Sequence, residues 1–319
     1  MKQNIQNMLK TVCFITLLMG LLILASYIFE PKNNYKEFGM NEIEANGILG
    51  EKEETIDVVV VGDSETYSAI SPMQLWEEHG MTSYVCGTSG QPMNLSLQFV
   101  ETVFERQSPK VIIMETNAIY RKNDIGSFLL SRVESAFSIF QYHDRWKSIT
   151  ANDFGGKVNY TYTNDYKGYR YNAKIASSSK KDYMIQTDQT QTIPTANILC
   201  LNKIASLCEK NNATLLLVST PSSKNWNYQK HNGIQEYADE KGLCYLDMNL
   251  INDEILINWK KDTRDKGDHL NYTGAKKVSN YLGNYLKDNY NLNDYRGQGE
   301  YSSWDKSLKK YKKLISKNM

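Results

Sequence analysis

Five short apolar runs, separated by longer helical patterns, constrain the fold of this chain more than any other feature. The runs are DVVVVG at 57–62, SYVCG at 83–87, VIIME at 111–115, TLLLVS at 214–219 and LCYLDM at 243–248. Continuous apolar runs, rather than alternating ones, are typical of strands that are buried on both faces. The helical patterns lie around 73–79, 95–106, 196–210, 234–241 and 275–286. This alternation predicts an α/β domain of three layers, with a mainly parallel sheet between helices.

The N-terminus carries a candidate membrane span. Residues 11–29 (TVCFITLLMGLLILASYIF) are uncharged and mostly apolar, and a transmembrane helix needs roughly 20 such residues. Lys2 and Lys10 precede the run, which favours a cytoplasmic N-terminus and export of the residues after the span. A cleavable signal peptide is the alternative, but residues 25–27 (ASY) match its cleavage site poorly. We therefore expect a single-pass protein of the cell membrane, with its main domain on the extracytoplasmic side.

The rest of the chain divides by composition. Residues 1–31 are the expected cytoplasmic end and anchor, 32–55 a polar, acidic stalk or short amphipathic lead-in, and 56–290 the main domain. A Tyr-, Asn- and Lys-rich stretch at 118–192 interrupts the alternation, which predicts an insertion near the site or a cap over it. Residues 291–319 form a basic tail, predicted to lie on an anionic membrane surface or to be a solvated helix.

Composition excludes some classes of function. The formal net charge of +1 provides no general attraction for nucleic acid, and no nucleic-acid motif is present. There is no CxxC pair or His/Cys cluster, so we expect no metal and no cofactor. Four cysteines follow the span and could form disulfides after export, although buried free thiols are the favoured interpretation. They are Cys86, Cys200, Cys208 and Cys244.

Polar or small residues follow the first three predicted strands. Ser64 follows the first strand in GDSE, Gly90 follows the second in CGTSGQ, and Asn117 ends the ETN after the third. Ligands bind at the carboxyl ends of the strands in parallel sheets. A serine hydroxyl there is a candidate nucleophile, and a glycine lets backbone N–H groups approach a ligand closely. Each signal is weak by itself, because helix caps and ordinary turns use the same residues.

A histidine precedes the last helical pattern. His269 lies in DKGDHLNYTGA, with Asp265 four positions and Asp268 one position before it. An imidazole beside a carboxylate is the combination that general-base catalysis requires. The other three histidines lack this setting, and the alternative is a surface loop that leads into a helix near Thr273.

The order of these blocks resembles the SGNH/GDSL hydrolase superfamily over roughly residues 56–290. The resemblance implies a flavodoxin-like SGNH domain in which Ser64 is the nucleophile and His269 its base. It also implies an oxyanion hole made by the backbone N–H groups of Ser64 and Gly90 and the side chain of Asn117. The HLNYTG around His269 matches the final block of the superfamily.

Two departures from the superfamily pattern concern the acid and the third block. The acid often stands three residues before the histidine, where this chain has Lys266. The acid is then Asp265 or Asp268, or its role is taken by solvent. We favour Asp265 over Asp268 because adjacent side chains usually point in different directions. The third block reads Glu-Thr-Asn in place of Gly-x-Asn-Asp.

A closer resemblance is to the branch that contains the teichoic-acid D-alanylation protein DltD and the alginate O-acetylation proteins. It depends on the single anchor, ILGE at 48–51 and FQYHDRW at 140–146. The resemblance implies esterase or O-acyltransferase activity on a cell-envelope polymer, teichoic acid or polysaccharide, through an acyl-serine. The expected partners are that acylated polymer and a multi-spanning membrane acyltransferase. The alternative is a catalytically weak domain that binds polymer or acts as a scaffold for the acyltransferase.

Overall fold

The structure, a computed structural model, describes residues 2–180 and 182–318; Met1, Lys181 and Met319 lie outside the described residues. Each of the five apolar runs forms a strand. The strands are β1 (Val58–Gly62), β2 (Ser83–Gly87), β3 (Val111–Glu115), β4 (Thr214–Ser219) and β5 (Cys244–Asp247). They form one fully parallel sheet in the order β2-β1-β3-β4-β5. This is the flavodoxin-like order, so the predicted fold class is confirmed.

The described α-helices are α1 (Lys2–Phe29), α2 (Ile43–Asn46), α3 (Ser64–Ala69), α4 (Pro72–His79), α5 (Met93–Arg106), α6 (Ile125–Ala136), α7 (Ser138–Gln141), α8 (Thr195–Lys210), α9 (Tyr228–Lys241), α10 (Asn252–Ile255), α11 (Tyr272–Asn289) and α12 (Ser302–Asn318). Helices that follow α1 cover both faces of the sheet. Successive β1 side chains enter different cores, as the two-residue period of a strand requires. Val59 packs in the core that contains Leu97 of α5, and Val60 in the core that contains Val278 of α11.

The first helix stands apart from these layers. Residues 3–29 of α1 are long and apolar enough to cross a membrane, and the most apolar part of the helix is not buried by the protein. A signal sequence near an N-terminus has the same length and composition. The predicted apolar N-terminal helix is therefore present.

The segment 32–55 packs on the domain, as an amphipathic lead-in does, rather than extending from it as a stalk. Asn34 is fully buried, and its Nδ2 donates to the carbonyls of Asn46 (3.0 Å) and Tyr162 (2.7 Å). Ile48 belongs to the same core as β2. Apolar side chains between the acidic ones pack on the domain, because burying them lowers the free energy relative to leaving them in water.

The basic tail is also packed rather than free. Trp304 of α12 packs against Trp76 of α4, with ring centroids 5.3 Å apart and ring planes tilted by 37°. The buried Tyr311 bonds through its hydroxyl to the hydroxyl of Ser71 (3.2 Å). The apolar face of α12 therefore covers the domain, and its lysines remain in solvent.

The insertion at 118–192 contains α6, α7 and two short 3-10 helices, His143–Lys147 and Ala151–Phe154. Its described residues form no strand, and its second half is extended chain. That half supports the loop before α11, because the N–H of Lys266 donates to the carbonyl of Ala176 (3.0 Å). The insertion thus contacts the predicted site region at both of its ends.

All five cysteines carry free thiols. Cys86, Cys200 and Cys208 are buried, and burial raises their thiol pKa values, that of Cys200 to about 11. The expectation of buried free thiols is met at these three positions. Cys244 is exposed, because it begins an edge strand.

Candidate active site

The turn between β1 and α3 presents Ser64. Gly62 has a φ of 153°, and a Cβ there would lie 2.7 Å from the Thr66 side chain and 2.8 Å from that of Glu115. Only glycine fits this close approach. Asp63 then caps α3 by accepting a hydrogen bond from the N–H of Glu65 (3.0 Å). As a result Ser64 begins α3 beside the switch point between β1 and β3, where parallel sheets bind ligands.

His269 lies between Ser64 and Asp265. Its Nε2 is 2.7 Å from Ser64 Oγ, and its Nδ1 is 2.6 Å from Asp265 Oδ2. The other oxygen of Asp265 accepts the backbone N–H of His269 (2.6 Å). Asp268 Oδ1 is 3.6 Å from Nδ1, beyond hydrogen-bond distance. The arrangement is that of a serine, histidine and aspartate triad, with Asp265 in the position of the acid.

The loop before α11 explains why the acid stands four residues before His269. Lys266 and Gly267 have left-handed backbones, with φ of 65° and 90°. The N–H of Gly267 donates to Thr263 Oγ1 (2.8 Å), and Thr263 pairs with Leu270 in an antiparallel bridge. This tight loop accommodates one residue more than the three-residue spacing of the superfamily. It thereby brings His269 back beside Asp265.

Asp268 has a different set of partners. Its carboxylate accepts from Lys224 Nζ (2.7 Å) and from the side-chain amide of Asn225. Burial by itself would raise the pKa of Asp268, but these two hydrogen bonds and the nearby His269 lower it. Asp268 is therefore a charged neighbour of the triad, and its interactions are directed mainly towards Lys224 and Asn225.

Gly90 and Asn117 lie at the same pocket as Ser64. Gly90 has a φ of 64° and its backbone is open, since even a Cβ at this position would lie 3.8 Å from its nearest neighbour, Arg121 Nη1. Asn117 Nδ2 donates to Asp63 Oδ2 (2.9 Å). A side-chain amide has two N–H donors, so one donor of Asn117 is held by Asp63 and the second is available to a ligand.

The pocket has a volume of about 520 Å³. It is lined by Ser64, Ser89, Gly90, Asn117, Tyr120, Arg121, Asn225, Lys230, Asp268 and His269. The structure thus brings together every residue that the sequence predicted for the site. Asp265 lies behind His269, outside the lining.

Two cations of the pocket were not predicted from the sequence. Arg121 Nε donates to the fully buried Asp63 Oδ2 (2.8 Å), and Nη2 donates to the same oxygen. Arg121 lies four residues after Asn117, just past the end of β3, and this position could have indicated from the sequence that it is near the site. Lys230 donates to Asn117 Oδ1 (3.3 Å) and to the carbonyl of Asn225 (2.6 Å). No local signal marks Lys230, because it lies 113 residues from Asn117.

Burial shifts the pKa values of ionisable groups around these cations. Burial lowers the pKa of Lys230, and the carboxyl groups of Glu115, Asp63 and Glu65 oppose that shift. Burial, with Asp63 nearby, raises the pKa values of Glu65 and Glu115 well above the usual carboxyl range. The neutral acid is therefore favoured at both glutamates.

One group of side chains has the composition of a metal site. Ligand atoms of Glu65, Asp268 and His269 lie within 4.8 Å of one another. However, Glu65 favours its neutral form, and the amide of Asn225 lies between its Oε1 (2.9 Å) and Asp268. Lys224 already neutralises Asp268. The group therefore suits a hydrogen-bond network beside the triad better than a cation.

No family model matches the chain, and no curated protein matches it. Among solved structures, it is similar to a protein from Streptococcus pneumonia described as a platelet activating factor (14% identity, 86% of this chain and 99% of that chain, TM-score 0.41). It is also similar to a Bacteroides fragilis protein described as an acylhydrolase (10% identity, 77% and 95%, TM-score 0.40). A third is a lipolytic protein of the G-D-S-L family from Desulfitobacterium hafniense (15% identity, 72% and 98%, TM-score 0.39). At such low identities and TM-scores, these similarities say nothing about the activity of this chain.

Proposed function

We propose that this chain is an SGNH-type serine esterase or O-acyltransferase. The observation that carries the proposal is the contact of His269 with both Ser64 (2.7 Å) and Asp265 (2.6 Å). These three residues come from two separate loops and meet at the carboxyl edge of the sheet. A serine in contact with a base, whose other nitrogen is held by an acid, is the arrangement that nucleophilic catalysis needs.

The proposed first step is attack on an ester. Ser64 Oγ attacks the carbonyl carbon while His269 Nε2 takes the hydroxyl proton. Asp265 holds the tautomer that carries its proton on Nδ1, so that Nε2 is free to accept. The oxyanion is stabilised by the N–H groups of Ser64 and Gly90 and by the second N–H of Asn117, each donor contributing roughly 10²–10³ in rate.

The second step releases the acyl group. The imidazolium gives its proton to the leaving alcohol, and the carbonyl carbon stays bonded to Ser64 Oγ as an acyl-serine. Water or a sugar hydroxyl then attacks that carbon with His269 again as base. Water gives an esterase, and a sugar hydroxyl gives an O-acyltransferase.

We further propose that α1 anchors the enzyme in the cell membrane, with the domain on the extracytoplasmic side. The uncharged length of residues 11–29 supports anchoring in the membrane. Lys2 and Lys10, which precede this span, support the orientation. The resemblance to the DltD and alginate O-acetylation branch makes an acylated teichoic acid or polysaccharide the proposed substrate. A multi-spanning membrane acyltransferase is the proposed partner.

The test is a search for the acyl-enzyme. Full-length protein in detergent is incubated with p-nitrophenyl acetate, quenched in acid and digested for mass spectrometry. We expect a mass increase of one acetyl group on the peptide that contains Ser64, together with release of nitrophenol. The Ser64→Ala variant provides the matched control. Turnover that persists in this variant, or an adduct on another residue only, would refute Ser64 as the nucleophile. Neither adduct nor turnover in the wild type would favour a non-catalytic scaffold.

A further inference from the structure

Residues 137–158 of the insertion enclose the end of α1, and we call this segment the collar. The hydroxyl of Tyr27 donates to the carbonyl of Gly156 (3.3 Å). The guanidinium of Arg145 donates to the carbonyl of Phe29. The last turns of α1 and the collar are therefore one packed unit.

Arg145 gives the collar a defined conformation. Its side chain is 5% exposed, and its Nη2 pairs with Asp153 Oδ1 (2.7 Å). Asp153 also accepts the N–H of Thr150 (2.7 Å). Burial would raise the pKa of Asp153, but these hydrogen bonds lower it overall, so the pair with Arg145 remains ionised. The collar is thus held by the protein itself.

The outer surface of the collar is aromatic. Trp146 and Phe154 are each 63% exposed, and Phe140 is 42% exposed. The ammonium of Lys147 lies 5.2 Å from the Trp146 ring centroid. Three large exposed aromatic side chains within 15 residues of one segment make the collar a candidate interaction surface. Tryptophan beside lysine is typical of side chains at the interface between a membrane and water.

We propose that the collar lies in the headgroup region of the outer leaflet, with Phe140, Trp146 and Phe154 inserted among the lipids. This inference depends on the proposed anchoring by α1 and not on the proposed chemistry. At a rise of 1.5 Å per residue, residues 11–29 span about 28 Å, close to the ~30 Å of a bilayer core. The last residue of that span, Phe29, then lies at the outer boundary. The collar is bonded to Phe29 and must lie at the same depth.

A membrane-bound collar would also orient the catalytic pocket. The 12 residues of α6, about 18 Å in length, connect the collar to the chain segment that carries Arg121 at the pocket. Leu129, Leu130 and Val133 of this helix are also exposed apolar side chains. The enzyme is then held to the bilayer by its span and by a second surface, which restricts rotation of the domain about α1.

Tryptophan fluorescence tests this placement. Of the five tryptophans, Trp76, Trp226 and Trp304 are buried and Trp259 is partly buried, whereas Trp146 is largely exposed. Full-length protein is reconstituted in phosphatidylcholine and phosphatidylglycerol nanodiscs, with or without bromine on the upper acyl chains. The emission of Trp146 is the difference between the wild type and Trp146→Phe. We expect brominated lipid to quench most of this difference. The emission that remains in Trp146→Phe should be quenched less than half as much.

Two further variants in the Trp146→Phe background serve as a matched pair. Adding Phe154→Trp should restore quenching by brominated lipid. Adding Leu250→Trp should not, because Leu250 is exposed beyond the carboxyl end of the far edge strand β5. Equal quenching of wild type and Trp146→Phe, or of the two added tryptophans, overturns the proposal. So does failure of the full-length chain to remain with the nanodiscs. Ester turnover plays no part in these readouts, so they are independent of the proposed catalytic activity.

Discussion

Replacing Asp265 by asparagine tests the proposed triad most sharply. Asp265 uses one oxygen for the backbone N–H of His269 and the other for Nδ1, both at 2.6 Å. An asparagine side chain has a single acceptor oxygen. If that oxygen keeps the backbone N–H, the NH₂ group faces Nδ1 and favours the tautomer with the proton on Nε2. His269 then cannot accept the proton of Ser64.

The expected loss follows from this change of tautomer. The same substitution in a serine protease triad lowers kcat by about 10⁴, which corresponds to roughly 5.5 kcal/mol in the activation barrier. We expect a decrease of about 10³–10⁴ in kcat/KM for Asp265→Asn. The fold should be unaffected, because the Asp265 side chain is 38% exposed.

Asp268→Asn is the matched control in the same loop. Its carboxylate is bonded to Lys224, whose side chain is 59% exposed, so the ion pair contributes little. We expect a decrease of no more than about tenfold. The assay is p-nitrophenyl acetate hydrolysis by full-length protein, with circular dichroism to confirm folding. A larger loss for Asp268→Asn than for Asp265→Asn would assign the acid to Asp268. Small, equal losses would mean that Ser64 and His269 act without an acid.

The remaining predictions concern the nucleophile, the oxyanion hole and stability. Ser64→Ala should abolish ester turnover and His269→Ala should be nearly as damaging, while the double variant should be scarcely worse than either, because the two residues act as one unit. Additive losses in the same assay would contradict this. Asn117→Ala should lower kcat by about 10²–10³ with KM little changed, as loss of one oxyanion donor predicts; a change confined to KM would assign Asn117 to substrate binding. The raised pKa of Glu115 means that the folded state holds a proton that the unfolded state loses above about pH 4.5, so the free energy of unfolding should fall as pH rises from there. Urea titrations at pH 5 and pH 8 give the difference in the free energy of unfolding between the two pH values, and Glu115→Gln should reduce this difference. An unchanged difference would show that Glu115 is ionised in the folded state.

Much of the architecture could be predicted from local sequence. A strand buried on both faces is apolar at most of its positions, so the apolar runs identified the five described strands, although the edge strand β5 is only partly buried. Residues that follow such strands must lie at the carboxyl edge of a parallel sheet, and this alone predicts that Ser64 and Asn117 lie near each other. Composition left two alternatives open at 32–55, a stalk and an amphipathic lead-in. Only the packing of Ile48 and its apolar neighbours on the domain distinguishes them.

By itself, the sequence determined the fold class, the apolar N-terminal helix and the positions of Ser64, Asn117 and His269 along the chain, because these depend on periodicity and on residues adjacent to strand ends. Only the tertiary structure decided which aspartate meets His269, since that depends on the left-handed turn at Lys266 and Gly267. It also decided that Lys230 enters the pocket. Contacts between distant segments depend on how helices pack on the sheet, and no local pattern contains that geometry.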